Sequence, residues 1–123
     1  IGAVALGVAL MFLGACASMK AAEGVRISSP AELAGHWVGT VDPGRWGPAT
    51  PFQMTITPDG SLTALWDSNT ARGTIMVRDG RGTFQMHPVM HEGTVRLLED
   101  GGKPQLIFDD TFQRFQARVV RQK

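Results

Sequence analysis

Between Trp37 and Val120 apolar and polar residues alternate in short runs. Turn-forming residues interrupt them about every 8 to 12 positions, as in all-β domains. Phe52, Met54 and Ile56 fall on one parity and Gln53, Thr55 and Thr57 on the other. Near the C-terminus Phe115, Ala117 and Val119 oppose Arg114, Gln116 and Arg118. A period of two puts one face of a strand in a core and the other in water. The pattern predicts eight strands, near 37–41, 51–57, 61–66, 73–78, 82–87, 94–98, 104–108 and 111–120. Ahead of them, Ser29-Pro30-Ala31-Glu32-Leu33-Ala34-Gly35 reads as a short helical turn. Ser29 would cap it, Glu32 would complete a capping box, and Gly35 would end it.

Pro58-Asp59-Gly60, Asp79-Gly80-Arg81-Gly82 and Asp100-Gly101-Gly102 are tight-turn signals, because glycine reaches positive φ without strain. Strands joined this way form an antiparallel up-and-down meander. Closing the meander into a barrel removes its edges, and a two-sheet sandwich is the competing arrangement. The expected fold is therefore all-β, an eight-stranded antiparallel meander with a short N-terminal helical turn. Phe52, Met54, Ile56, Leu62, Phe84, Met86, Leu106, Phe108 and Phe115 are its bulky inward candidates. They either fill the interior or leave room for one small ligand, since eight strands enclose little more than their own side chains.

The alternation of strand direction sends the three tight turns to one end. The other end receives the connections near 42–50, 67–70, 87–92 and Asp109-Asp110. Binding residues gather on loops held by a rigid scaffold, and barrel mouths are frequent ligand sites. Arg45, Trp46, Trp66, His87 and His91 are accordingly the candidate ligand-binding residues at this open end. Trp46, in the stiff stretch Asp42-Pro43-Gly44-Arg45-Trp46-Gly47-Pro48, is either a lid over a ligand or a packed plug. Met86-His87-Pro88-Val89-Met90-His91-Glu92 carries sulfur and imidazole groups suited to copper or zinc. However, methionine in a short apolar run is usually core filler, and Pro88 keeps the histidines off a shared helix face. Asp109 and Asp110 read as turn residues. No metal and no other cofactor is expected.

The first part of the chain differs from the rest. Residues 1–15 carry no charge, and the first charged side chain is Lys20. Fifteen apolar residues fall short of the roughly 20 that cross a bilayer as a helix. They match the apolar core of a secretory signal peptide, whose charged start would lie upstream of Ile1. Leu13-Gly14-Ala15-Cys16 resembles the bacterial lipobox, and that resemblance implies cleavage before Cys16 and acylation of its thiol and new amine. Small residues suit the protease, and only a thiol can form the thioether. A buried free cysteine is the alternative. The expected organisation is a signal peptide over 1–15, a lipidated cysteine and flexible tether over 16–28, and a β-barrel domain over 29–123. Ala17 after the cysteine resembles outer-membrane sorting in Gram-negative lipoproteins, which implies the periplasmic face of the outer membrane. A single cysteine excludes an internal disulfide. A net charge of +1, with scattered basic residues, argues against a nucleic-acid partner.

Leu33-Ala34-Gly35-His36-Trp37 resembles the opening of the calycin superfamily, in which a short turn precedes Gly-x-Trp on the first strand. That resemblance implies that Trp37 plugs the closed end of a barrel, with an arginine of the last strand over its ring. Arg121 is the first candidate by parity and Arg118 the second, and Gly35, Trp37 and Arg121 form a structural signature. Ser28 to Trp37 also resembles bacterial metalloprotease inhibitors, although those carry a disulfide that this chain cannot form. Asp59-Gly60-Ser61-Leu62-Thr63 resembles a hairpin of avidin-like proteins. The chain has no tyrosine, and the polar set around biotin has no counterpart here.

No nucleophile–base pair and no phosphate-binding glycine loop is present, so an enzyme is not expected. Two functions are. The first is a lipid-anchored envelope protein that binds a small apolar or amphipathic ligand at the barrel mouth. The second is a protein-binding module, such as a protease inhibitor or envelope scaffold, that uses Trp46, Trp66 and the rim loops as anchors.

Overall fold

The computed structural model describes residues 24–88 and 90–122. Cys16, the apolar run 1–15 and the first part of the tether lie outside the described residues. Eight strands follow one another: β1 (Gly35–Asp42), β2 (Thr50–Ile56), β3 (Ser61–Trp66), β4 (Asn69–Arg78), β5 (Arg81–His87), β6 (His91–Asp100), β7 (Lys103–Asp110) and β8 (Gln116–Arg121). Each pairs antiparallel with its neighbours in sequence, and β1 also pairs with β8, with Trp37 opposite Arg121 and Val41 opposite Ala117. That last ladder selects a closed barrel over a sandwich, since a sandwich would leave β1 and β8 as edges. Two short 3-10 turns, Pro30–Leu33 and Gly44–Trp46, are the helical elements among the described residues.

The interior is filled along the parity that the sequence marks. Phe52, Met54, Ile56, Leu62, Phe84, Met86, Leu106 and Phe108 are all buried. Phe84 meets Phe108 edge-on, with ring centroids 5.4 Å apart. Phe115, just before β8, is only partly buried and packs against this cluster.

One end is sealed. The turn Pro30–Leu33 lies across it, with Leu33 fully buried. The Trp37 indole, also fully buried, donates to the Leu33 carbonyl at 2.8 Å. The Arg121 guanidinium lies over the Trp37 ring, 4.6 Å from its centroid, and donates to the Glu32 carbonyl. Arg121 rather than Arg118 thus makes the cation–π contact. Gly35 starts β1 at φ 138°, a conformation that favours glycine.

Four local expectations change. The Ser29 side chain makes no capping bond, and the Glu32 carboxylate accepts from the Ser28 amide at 2.9 Å instead. A four-residue 3-10 turn is too tight to form the reciprocal box of an α-helix. The end of the expected tether is docked: Val25 donates to the Leu97 carbonyl at 2.6 Å, and Ile27 is buried in the core and donates to Gly80. Strand β6 continues to Asp100, past the start of β5 at Arg81, and Val25 pairs with the section that β5 leaves uncovered. Third, Asp109 and Asp110 are not turn residues; they are the last two residues of β7. Fourth, β8 accordingly begins at Gln116 rather than near Thr111, and 111–115 forms the connection. β7 runs on to Asp110 because Asp109 and Asp110 continue its ladder opposite Thr94 and Gly93 of β6.

Candidate functional site

The turns at 57–60, 79–80 and 101–102 lie at the sealed end and the other connections at the opposite end, as the alternation predicts. The β3–β4 connection is also a two-residue turn, however, because β4 already starts at Asn69. At the unsealed end the 43–49 loop, the turn at Asp67, the ends of β5 and β6 at Met86 and His91, and the 111–115 loop surround a cleft of about 370 Å³. Its walls are mostly apolar: Val41, Pro43, Trp46, Pro48, Phe52, Trp66, Met86 and Phe115. The polar groups reaching it include His91, Arg114, Asp67 and Thr50. A larger hollow of about 660 Å³ lies outside the barrel wall, between Gly24–Ile27 and β5/β6. That hollow mixes Val25, Ile27 and Val95 with Arg26, Asp79 and Arg81 on its walls, and lies away from the loops at the open end.

Strand phase explains which side chains arrive in the cleft. Phe52 and Trp66 are register partners at the ends of β2 and β3, and their rings stack at a tilt with centroids 5.9 Å apart. His91 opens β6 directly opposite Met86 and so shares that residue's inward face. Its ring meets Phe115 edge-on at 5.0 Å. Trp46, on the 3-10 turn Gly44–Trp46, is 75% exposed yet lines the cleft, so it is not a packed plug. Asp42 accepts from the Gly44 amide at 2.8 Å and braces that turn.

Two of the sequence-selected residues lie off the cleft wall. The Arg45 guanidinium sits 5.9 Å from the Trp46 ring centroid and does not line the cleft. His87 is exposed on the outer face of β5, opposite Arg72, because its neighbour Met86 takes the inward position. Trp46, Trp66 and His91 are brought together, while Gly35, Trp37 and Arg121 stand at the sealed end.

Sequence reasoning missed the ionic group behind the cleft. The Asp110 carboxylate is completely buried and is gripped by Arg114: Nε to Oδ2 at 2.9 Å, Nη2 to Oδ1 at 3.2 Å, and the Arg114 amide to Oδ2 at 3.0 Å. Burial pushes the Asp110 carboxyl up, but the Arg114 hydrogen bonds and charge outweigh it and hold the group below the usual carboxylate range. The His91 Nδ1 is buried without a hydrogen-bond partner, 4.0 Å from Asp110 Oδ1. Burial lowers the His91 imidazole below its ordinary 6.5; the Arg114 charge acts in the same direction and Asp110 opposes both. Asp109, on the other parity, is held outside by Arg96 at 3.0 Å and Gln116 at 2.7 Å. The spacing Asp110-x-x-x-Arg114 was the one available sequence signal.

These shifts give the barrel a signed response to acid. The unfolded chain protonates His91 first, so stability falls as pH drops below about 6.5 and keeps falling until the native imidazole also titrates. The Asp110 contribution is present above its ordinary 3.8 and is lost as pH falls through that value towards the lower native one. Urea denaturation between pH 8 and pH 3 is expected to show both declines, with His91→Leu removing the first. A flat profile down to pH 5 in the unsubstituted protein would contradict the assignment.

The fold and the cleft define a small closed β-barrel, sealed at one end by Trp37 and opening at the other into an apolar, aromatic-walled cavity. No family model, no curated protein and no solved structure matches this chain.

Proposed function

We propose that this chain is a lipid-anchored cell-envelope protein whose calycin-like barrel takes up a small apolar or amphipathic molecule at its open end. One observation carries the ligand reading. The interior is packed from the Trp37 seal up to Phe84 and Phe108, yet a cavity of about 370 Å³ remains between Trp46, Trp66 and Phe115. That volume is at the small end of ligand sites, and the mixture of apolar walls with a few polar groups is their usual composition. Apolar walls left open to water forgo burial that would stabilise a small domain, so an apolar cleft in one without a disulfide favours use over neglect. The anchor and the envelope location rest on Leu13-Gly14-Ala15-Cys16 and on the apolar run before it.

The chain's tryptophans make the ligand reading testable by fluorescence. Trp46 and Trp66 line the cleft, whereas Trp37 is buried at the sealed end. A medium-chain fatty acid brominated on its tail is expected to quench the two mouth tryptophans and leave a residual Trp37 emission. Trp46→Ala is expected to weaken that binding by about tenfold, equivalent to about 1.4 kcal/mol, without lowering the midpoint of thermal unfolding. Saturating ligand with no quenching, or unchanged affinity in the variant, would reject this placement.

A protein-binding role is the second reading, favoured by the exposure of Trp46, Met90 and Phe112 on three loops of the same rim. Trp46→Ala would then abolish capture of a specific envelope protein while fatty-acid binding stayed absent in the unsubstituted chain.

A further inference from the structure

The ionic group at the cleft says what kind of molecule the cleft prefers, on the premise that it binds small ligands at all. We propose that it selects small carboxylic acids with an aromatic or branched apolar body, the acid head meeting Arg114 and the body lying between Trp46 and Trp66.

Arg114 and Asp110 are not symmetrically placed about the cavity. Arg114 forms part of the cleft wall, whereas the Asp110 carboxylate is completely buried and is not among the lining residues. The pair therefore presents its positive member to the cavity and keeps its negative member behind. Arg114 Nε and Nη2 are committed to Asp110, and Nη2 also donates to the Met90 carbonyl at 3.3 Å. Nη1 has no acceptor among the described residues. A guanidinium fixed by two bonds to a buried carboxylate loses little freedom when it takes a further acceptor.

The rest of the lining agrees. The Trp46 and Trp66 rings supply flat apolar walls on the other side of the cleft. Asp67 is the other charged lining residue; it is exposed on the β3–β4 turn, where water and salt screen it. A fixed guanidinium beside apolar rings suits a molecule with acceptor oxygens at one end and no cation. A volume of about 370 Å³ favours a compact body over a long chain.

The test compares three probes of one shape and different charge. Equilibrium dialysis of the full chain at pH 7.5 is run with 2-naphthoate, 2-naphthalenemethanol and 2-naphthylmethylammonium. The acid is expected to bind about tenfold tighter than the alcohol, the order contributed by one charge-assisted hydrogen bond, with the ammonium weakest. Arg114→Gln alone would leave the Asp110 carboxylate buried without its partner, so it is combined with Asp110→Asn. In that double variant, with folding confirmed by a cooperative thermal transition, the preference for acid over alcohol is expected to fall to about twofold or less. Equal binding of acid and alcohol by the unsubstituted chain would overturn this inference and leave the ligand reading standing. So would an acid preference that survives in the double variant. Failure of all three probes to bind would overturn both.

Discussion

Replacing Trp37 with alanine lowers the stability of the barrel by about 3–5 kcal/mol, the usual cost of deleting a large buried aromatic. Small domains hold only about 5–15 kcal/mol in total. Three losses coincide at this position. The ring leaves a void at the sealed end, the Leu33 carbonyl loses the indole donor at 2.8 Å, and Arg121 loses the ring over which it lies at 4.6 Å. Urea denaturation measures the change. Trp37→Phe, which keeps most of the apolar volume but not the indole N–H, is expected to fall between the two. A loss below about 1 kcal/mol for Trp37→Ala would show that the end seals without the ring.

Gly39→Ala and Gly93→Ala are each expected to cost about 1–3 kcal/mol or more, at the upper end for overpacking. The obstacle is backbone, which cannot swing aside. A Cβ on Gly39 would lie 1.8 Å from the Arg118 carbonyl oxygen, and one on Gly93 would lie 1.8 Å from that of Asp109. Gly73 has the same geometry against Gln85 at 1.9 Å. Glycine inside a strand marks a bend or a close backbone approach, and barrels need such points to close. These three glycines sit within β1, β4 and β6, and their close neighbours are in β8, β5 and β7 respectively. The measurement is again chemical denaturation, with amide exchange to show the β1–β8 ladder loosening in Gly39→Ala. Gly101→Ala serves as a control for space only, because nothing lies within 4 Å there. Its φ of 59° still strains an alanine, so it should lose less than the strand glycines.

The barrel was legible because its signals are periodic and local. Parity alone placed Phe52, Met54, Ile56, Phe84 and Met86 inward, and the tight turns at Asp59, Asp79 and Asp100 counted out the strand directions. The calycin resemblance put an arginine of the last strand over Trp37, and parity then picked Arg121 over Arg118. The cleft was legible only in part. Trp46, Trp66 and His91 follow from their place at the open end, but the phase of β5 turns His87 outward once Met86 faces in. The ionic group was hidden by its own residue types. Asp109-Asp110 carries the statistics of a turn, and its partners Arg96, Arg114 and Gln116 become visible only when the register of β6, β7 and β8 is known. The docking of Val25 and Ile27 was equally out of reach, because a single bridge and one buried isoleucine leave no periodic trace in 24–28.

The central claim is that the open end holds a ligand inside the barrel mouth, and a methionine-methyl NMR titration addresses it most directly. Met86 lines the cleft, Met54 is buried opposite Trp37 towards the sealed end, and Met76 is exposed on β4. With 2-naphthoate added to saturation, the Met86 methyl is expected to shift strongly, with Met54 and Met76 near their starting positions. Binding that moves Met76 and spares Met86 would place the ligand on the outer wall and contradict the account.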